Sequence, residues 1–283
     1  MTEVFGELWG IGLQTPIQGR IEKPRQCGLT MVIDKGLGFT ALNDLLELNA
    51  KYIDFHKLSF GTSLLYPQDL LKKKINIIKK AGIDVYPGGT LFEIAFIQNK
   101  LEKYFFTAKE LGFTAIEISD GTISFSSKLR AEAIALAKSI DFTVISEVGK
   151  KDKSDSLSLD EMIEQIDFDL SAGADFVIIE ARESGKDITI YNEDGSVDMK
   201  MLDSILKSLA GCQEKLIWES PLKKQQTLLI EKIGSNVNLG NIQPGDVFAL
   251  ESLRKGLRGD TFKATLEKEF FKKTVVENTR GVL

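Results

Sequence analysis

From Leu29 to Asn241 the chain repeats one cadence: a short β-branched run, a polar or glycine-bearing loop, then a longer stretch with apolar residues spaced three and four apart. Short β-branched runs read as strands, and the three-and-four spacing reads as amphipathic helix. The pattern predicts strands at Leu29–Asp34, Tyr52–Lys57, Asp84–Tyr86, Ala115–Ser119, Thr143–Glu147, Phe176–Glu180, Leu216–Glu219 and Val237–Asn241. Helices are predicted at Leu70–Lys80, Leu101–Leu111, Lys128–Ser139, Leu159–Ala172 and Met201–Leu209, with another opening after Pro244-Gly245-Asp246. Gly82, Gly112 and Gly173 fall where a left-handed helix cap favours a residue without a β-carbon.

Eight strands with intervening helices predict an α/β fold, a single (β/α)8 TIM barrel. The whole chain, 1–283, reads as one domain: an N-terminal lead over 1–25, the barrel over 26–261 and a helical tail over 262–283. Two excursions interrupt the cadence after strands five and six. Lys150–Ser156 is charged and precedes Ser158 and Glu161, the spacing of a capping box. Asn192-Glu193-Asp194-Gly195 lies between Ile188–Tyr191 and Ser196-Val197, the composition of a hairpin tip. Both follow strand C-termini, the face where barrels keep their active sites.

Composition narrows the chemistry. The chain has 283 residues, 43% of them hydrophobic, with 36 basic and 41 acidic side chains mixed throughout and a net charge of −5. Length and hydrophobic content suffice for a full core, and the acidic balance gives no general affinity for nucleic acid or anionic lipid. No apolar run approaches the roughly 18 residues of a membrane span, and Met1-Thr2-Glu3-Val4 lacks a basic leader. The expected location is the cytoplasm. Cys27 and Cys212 stand apart and His56 is the one histidine, which excludes zinc fingers and iron–sulfur sites and leaves lysine, arginine, carboxylates or a hard metal ion as the chemical repertoire. The cysteines read as small apolar fillers rather than a disulfide.

Strand after strand ends in a carboxylate: Glu117, Glu147, Glu180 and Glu219, three of them sharing alternation parity with Ile145, Ile178 or Ile217. Both faces of a barrel strand are covered, so these side chains are costly unless they meet a cation at the open C-terminal mouth. Lys35, Lys57, Lys150, Lys151 and Arg182 fall at or just after strand ends and supply the opposite charge. An ion-paired ring that only closes the mouth is the alternative. A metal bound among such oxygens would be a hard cation, Mg²⁺ above others.

Glycine loops add a second feature. Pro87-Gly88-Gly89-Thr90 follows strand three and Asn238-Leu239-Gly240-Asn241 ends strand eight, and backbone amides in such loops cradle phosphate. Arg254 and Arg258 sit four apart, the spacing of two guanidinium groups on one helical face; the alternative is surface pairing of Arg254 with Glu251 and of Arg258 with Asp260. His56 neighbours Lys57 and therefore points to the opposite face, the helix side if Lys57 faces the barrel interior, as a packed residue.

Several ordered segments together resemble one family, the phosphosulfolactate synthases of coenzyme M and sulfolactate biosynthesis. They are Gly28-Leu29-Thr30-Met31-Val32-Ile33-Asp34-Lys35-Gly36; Asp54 with Lys57 and Gly61-Thr62-Ser63; Tyr86-Pro87-Gly88-Gly89-Thr90-Leu91-Phe92-Glu93; Glu117-Ile118-Ser119-Asp120-Gly121; Glu147-Val148-Gly149-Lys150-Lys151; Ile179-Glu180-Ala181-Arg182-Glu183-Ser184-Gly185; and the stretch from Leu253 to Thr261. The likeness runs from about Arg25 to Thr261. Ser220 and Leu222 replace the alanine and glutamine of the family pattern, and the tail after Phe262 extends past it.

The resemblance implies a Mg²⁺-dependent addition of sulfite to phosphoenolpyruvate giving (2R)-2-phospho-3-sulfolactate. It assigns proton donation to the Lys150-Lys151 pair, Lys151 foremost, and the metal to Glu117, Glu147 and Glu180. Substrate binding falls to Lys35, Lys57, Gly88, Gly89, Arg182, Asn241, Arg254 and Arg258. Two other readings fit the same barrel: a lysine-using aldolase on a phosphorylated keto acid, and a non-catalytic stress-related barrel. The expected partners are small anionic substrates, and a homo-oligomer formed through the helices, with Phe270, Phe271, Val275 and Val276 of the tail as candidate contacts.

Overall fold

The computed structural model describes residues 13–150 and 157–266. Its strands are β1 (Thr30–Asp34), β2 (Phe55–Leu58), β3 (Asp84–Pro87), β4 (Ala115–Ile118), β5 (Thr143–Val148), β6 (Phe176–Ile179), β7 (Leu216–Glu219) and β8 (Asn238–Ile242). Around them lie α1 (Phe39–Asn49), α2 (Gln68–Lys80), α3 (Gly89–Ile97), α4 (Leu101–Leu111), α5 (Ser127–Ser139), α6 (Leu159–Ser171), α7 (Met199–Ser208), α8 (Lys223–Ile233) and α9 (Val247–Arg254). All paired strands are parallel, in the order β3-β2-β1-β8-β7-β6-β5-β4. The two end strands meet at a seam bridged by Thr114. Its amide donates to Val85 O (3.0 Å) and its hydroxyl oxygen accepts from Val85 N (2.9 Å), so a side chain stands in for a missing ladder bond. The result is a nearly closed (β/α)8 barrel.

Alternation along each strand separates two cores. Outward residues such as Val32, Val85, Ile116, Val144, Val177 and Leu239 pack under the helices. Inward residues Leu29, Met31, Phe55, Tyr86, Ala115, Ile145, Phe176, Ile178 and Ile217 fill the barrel axis. Aliphatic and aromatic packing therefore plugs the lower and middle barrel and stops where the inward positions become charged, at Lys57, Glu117, Glu147, Glu180 and Glu219. Gly82, Gly112 and Gly173 have φ of +71°, +100° and +110° and close α2, α4 and α6 as predicted.

His56 lies outside the barrel interior, fully buried. Its Nε2 meets Asp34 Oδ2 at 2.9 Å, and Lys74 Nζ reaches the same oxygen at 2.6 Å. Asp34 Oδ1 accepts the Gly36 and Leu37 amides at 2.7 Å, so this cluster fixes the loop that carries Lys35. Ser158 and Glu161 form the reciprocal capping box of α6, and Gly195, at φ +76°, turns the 192–195 tip. Both cysteines are free thiols. Among the described residues no helix is long and apolar enough to cross a membrane. Residues 1–12 of the lead and 267–283 of the tail, with Phe270, Phe271, Val275 and Val276, lie outside the described residues.

Candidate active site

At the C-terminal mouth a cavity of about 280 Å³ is lined by Ile33, Lys57, Ser59, Phe60, Gly88, Gly89, Thr90, Glu117, Thr122, Glu147, Glu180, Arg182, Glu219 and Asn241. Each glutamate is delivered by the last inward position at the end of β4, β5, β6 or β7, and each is at least 97% buried. Lys57, on β2, reaches up among them. Its Nζ is 2.9 Å from Glu117 Oε2, 3.3 Å from Glu219 Oε1 and 3.7 Å from Glu147 Oε2.

Four further carboxylate oxygens are held by fixed groups. Gly89 N donates to Glu117 Oε1 (2.6 Å), Ser119 Oγ contacts Glu147 Oε1 (2.8 Å), and Ala181 N donates to Glu219 Oε2 (3.0 Å). The Arg182 amide donates to Glu180 Oε1. Ser119 Oγ also lies 2.8 Å from Glu93 Oε1. Gly89 opens α3 directly against Glu117, and a β-carbon there would come within 2.4 Å of Ser119 Cβ and 2.6 Å of Glu117 Oε1. Only glycine lets the helix start that close.

Among the described residues four carboxylates share the cavity with one lysine, and their acidities register it. Burial raises Glu117 to about 7, with Lys57 drawing it down and Glu147 pushing it up. Glu180 stands well above the usual carboxylate range, through burial and then the charges of Glu147 and Glu219. Burial raises Glu219 as well, against the pull of Lys57. For Lys57 burial acts downward, but Glu117, Glu219 and Glu147 outweigh it and hold the ammonium well above the ordinary lysine value. It is a fixed cation at neutral pH.

The donor set suits a hard cation. Glu117, Glu147 and Glu180 present oxygen ligands in one cavity, and the raised acidities of Glu117 and Glu180 mark a shortage of positive charge there. Among the described residues no three acidic, histidine or cysteine side chains are grouped to hold an ion by themselves. A cation here would therefore take one or two of these glutamates and complete its shell with water and substrate oxygens.

Other residues singled out in the sequence fall differently. Gly88, Gly89, Arg182 and Asn241 line the cavity, and Arg182 has no ion-pair partner among the described residues. Lys35 is outside the lining, exposed and paired with Glu183. Lys150 is turned away: its Nζ donates to Asp120 Oδ2 and Asp120 O, both at 2.7 Å, and to Ile123 O at 2.9 Å. Lys151 lies outside the described residues.

The paired-arginine expectation is corrected. α9 ends at Arg254, and Gly256 turns the chain at φ +72°, so Arg258 is not on the same helical face. Arg254 is fully buried at the opposite end of the barrel, where it donates to Ser235 O, Val237 O and Leu29 O at 2.6, 2.7 and 3.1 Å. Neither arginine lines the cavity. The surface pairings also differ, because Glu251 binds Arg20 and Asp260 binds Lys223. Sequence reasoning missed Ser59, Phe60 and Thr122 in the lining. Phe60 carried no motif; its one signal is the adjoining Gly61.

Comparison with known proteins follows the same lines. Residues 18–260 match the family described as (2R)-phospho-3-sulfolactate synthase (ComA). The chain is 48% identical over 239 residues to a phosphosulfolactate synthase of Methanocaldococcus jannaschii, covering 84% of this chain and 94% of that one. It is 44% identical over 244 residues to a phosphosulfolactate synthase of Methanothermobacter thermautotrophicus, covering 86% and 94%. Among solved structures, 3-hexulose-6-phosphate synthase of Salmonella typhimurium superposes with a TM-score of 0.53 at 11% identity, covering 80% of this chain and 98% of that one, a likeness of fold alone.

Proposed function

The chain belongs to the (2R)-phospho-3-sulfolactate synthase family, and from that premise we propose that it adds sulfite to phosphoenolpyruvate with Mg²⁺ bound at the barrel mouth. The observation that carries this reading is the single cavity in which four buried glutamates surround Lys57 and a guanidinium, Arg182, has no ion-pair partner among the described residues.

The sulfite lone pair forms a bond to the methylene carbon of phosphoenolpyruvate, and the π pair moves onto the carbon bearing phosphate and into the carboxylate as an enediolate. A proton then reaches that carbon from an ammonium group, and the product is 2-phospho-3-sulfolactate. Mg²⁺, when bound, would draw its carboxylate ligands from among Glu117, Glu147 and Glu180 and would supply stabilisation for the negative charge that collects in the reaction. Lys57 fixes Glu117 and Glu219 and adds an unvarying positive charge. Arg182 and the amides around Gly88 and Gly89 receive the anionic groups of the substrate. Lys150 is occupied by Asp120, so proton donation is assigned to Lys151.

The aldolase reading requires a neutral lysine amine as nucleophile. Among the described residues Lys57 is the lysine that lines the cavity, and its glutamates hold it charged. Purified protein given phosphoenolpyruvate, sulfite and Mg²⁺ should form an acid-stable organic phosphate visible by ³¹P NMR, and borohydride added with substrate should leave the protein mass unchanged. Absence of that product, or a reduced adduct, would overturn the proposal. Lys151→Ala is expected to lower kcat by about 10²–10⁴-fold; full turnover in that variant removes the assigned role.

A further inference from the structure

Asn241 ends the cavity wall on β8, and it is only 3% exposed. Its Nδ2 is turned to Arg182 O at 3.4 Å, while its Oδ1 is buried without a hydrogen-bond partner. A buried carbonyl oxygen left without a donor is rare in folded proteins and calls for an explanation. The backbone adds a second sign. Asn241 sits at φ +54°, and Arg182 (+57°) and Phe60 (+58°), also in the cavity wall, share that left-handed conformation without being glycine. Backbone held in this region clusters at ligand sites, where the surroundings impose it.

The chemistry of the missing partner follows from what the cavity is to receive. In their reactive ionised forms phosphate, carboxylate and sulfite offer acceptor oxygens only, so each would repel a carbonyl oxygen. The neighbouring glutamates are likewise acceptors when ionised. The donors in the wall, the Lys57 ammonium and the Arg182 guanidinium, do not reach this oxygen, and a water polarised by a divalent cation would supply the donor it lacks. Mg²⁺ retains several such waters, and residues that hold them are commonly neutral oxygens behind the carboxylate ligands.

We infer that Asn241 is a positioning residue for the hydrated divalent cation, its Oδ1 accepting a hydrogen bond from a metal-bound water. The inference rests on the Mg²⁺-dependent reading above and adds a protein group to it. The test is binding rather than turnover. Mn²⁺, as a paramagnetic probe, is titrated into the full-length protein and followed by electron paramagnetic resonance of the free ion. Asn241→Gly suits the left-handed backbone and removes only the side chain, and it is expected to weaken Mn²⁺ binding by about 10-fold or more. Asn241→Asp keeps an acceptor oxygen in place and should bind Mn²⁺ at least as tightly as the parent. Parent-like affinity in Asn241→Gly overturns the inference while leaving the reaction untouched. Failure of the parent protein to bind Mn²⁺ overturns both this inference and the metal part of the proposed function. Should Asn241→Gly fold poorly, Asn241→Asp carries the test, and weaker binding in that variant overturns the inference.

Discussion

Replacing Lys57 by methionine is expected to reduce turnover by at least about 10²–10³-fold, the scale seen when one preorganised electrostatic group is removed from a site, and to lower the melting temperature. Methionine keeps much of the unbranched stem and deletes the charge. Glu117, Glu147 and Glu219 then lose the cation at 2.9, 3.7 and 3.3 Å. Breaking a buried ion pair from one side costs about 3–5 kcal/mol. Protonation of the abandoned carboxyls recovers part of that, so a fall of roughly 5–15 °C is expected at pH 8. The recovery is larger in acid, and the gap between Lys57→Met and the parent should narrow at pH 5. Lysine titration does not confound the comparison. Because Lys57 is raised above its unfolded value, its stabilisation is fully present below the ordinary lysine pKa and is lost only as pH climbs through the raised one. Thermal melts at the two pH values, with turnover at neutral pH, check the expectation. A variant within threefold of parental kcat/KM would show that Lys57 is not part of the machinery.

The same residue marks how far the sequence can be read. Alternation alone groups Glu147, Glu180 and Glu219 with Ile145, Ile178 and Ile217 and sets His56 opposite Lys57, because a strand alternates strictly and a barrel has only two faces; which face is the axis is decided by the packing. The sequence also suggested that Lys57 and the glutamates share one mouth. It did not reveal that the lysine is committed to three of them, since that depends on how far a four-carbon stem extends between strands that are distant in the chain. Arg254 failed for a related reason: the spacing of Arg254 and Arg258 is helical, but the stop at Gly256 and the burial of Arg254 beneath β1 and β8 are tertiary facts. The sequence pattern does not delimit α1, α3 and α8. α3 is almost wholly apolar, so no amphipathic period marks it, and it opens at a glycine that reads as a loop until the approach of Glu117 to its amide is seen. Asn241 was picked out from a glycine loop as an anion contact, whereas the feature that distinguishes it is an unmatched oxygen that no sequence pattern encodes.

Stability should fall as pH rises from 5 to 8 when divalent cations are chelated, and Mg²⁺ should abolish most of that fall. Glu117, Glu180 and Glu219 have folded pKa values raised above their unfolded ones, Glu117 to about 7. A carboxyl of this kind contributes stability that is fully present below its unfolded pKa, near 4.5 for Glu117, and is lost as pH rises through the folded value. Each unit of displacement is worth about 1.4 kcal/mol, so even one such group changes the melting temperature by several degrees across the window. Asp34 works with the opposite sign. Its pKa is lowered, burial being outweighed by His56, Lys74 and the Leu37 amide, so its contribution is lost only below the ordinary aspartate value and leaves the range from pH 5 to 8 undisturbed. A cation among the ionised carboxylates supplies the charge that protons supply in acid. Mg²⁺ should therefore raise the melting temperature strongly at pH 8 and weakly at pH 5, and its binding should release protons, measurable by calorimetry in two buffers of different ionisation enthalpy. Glu117→Gln, which cannot ionise, should flatten the metal-free pH profile and weaken the Mg²⁺ response together. A metal-free profile that is level from pH 5 to 8, or an equal Mg²⁺ shift at both ends, would mean that the glutamate cluster is satisfied by Lys57 alone and that the cation binds elsewhere.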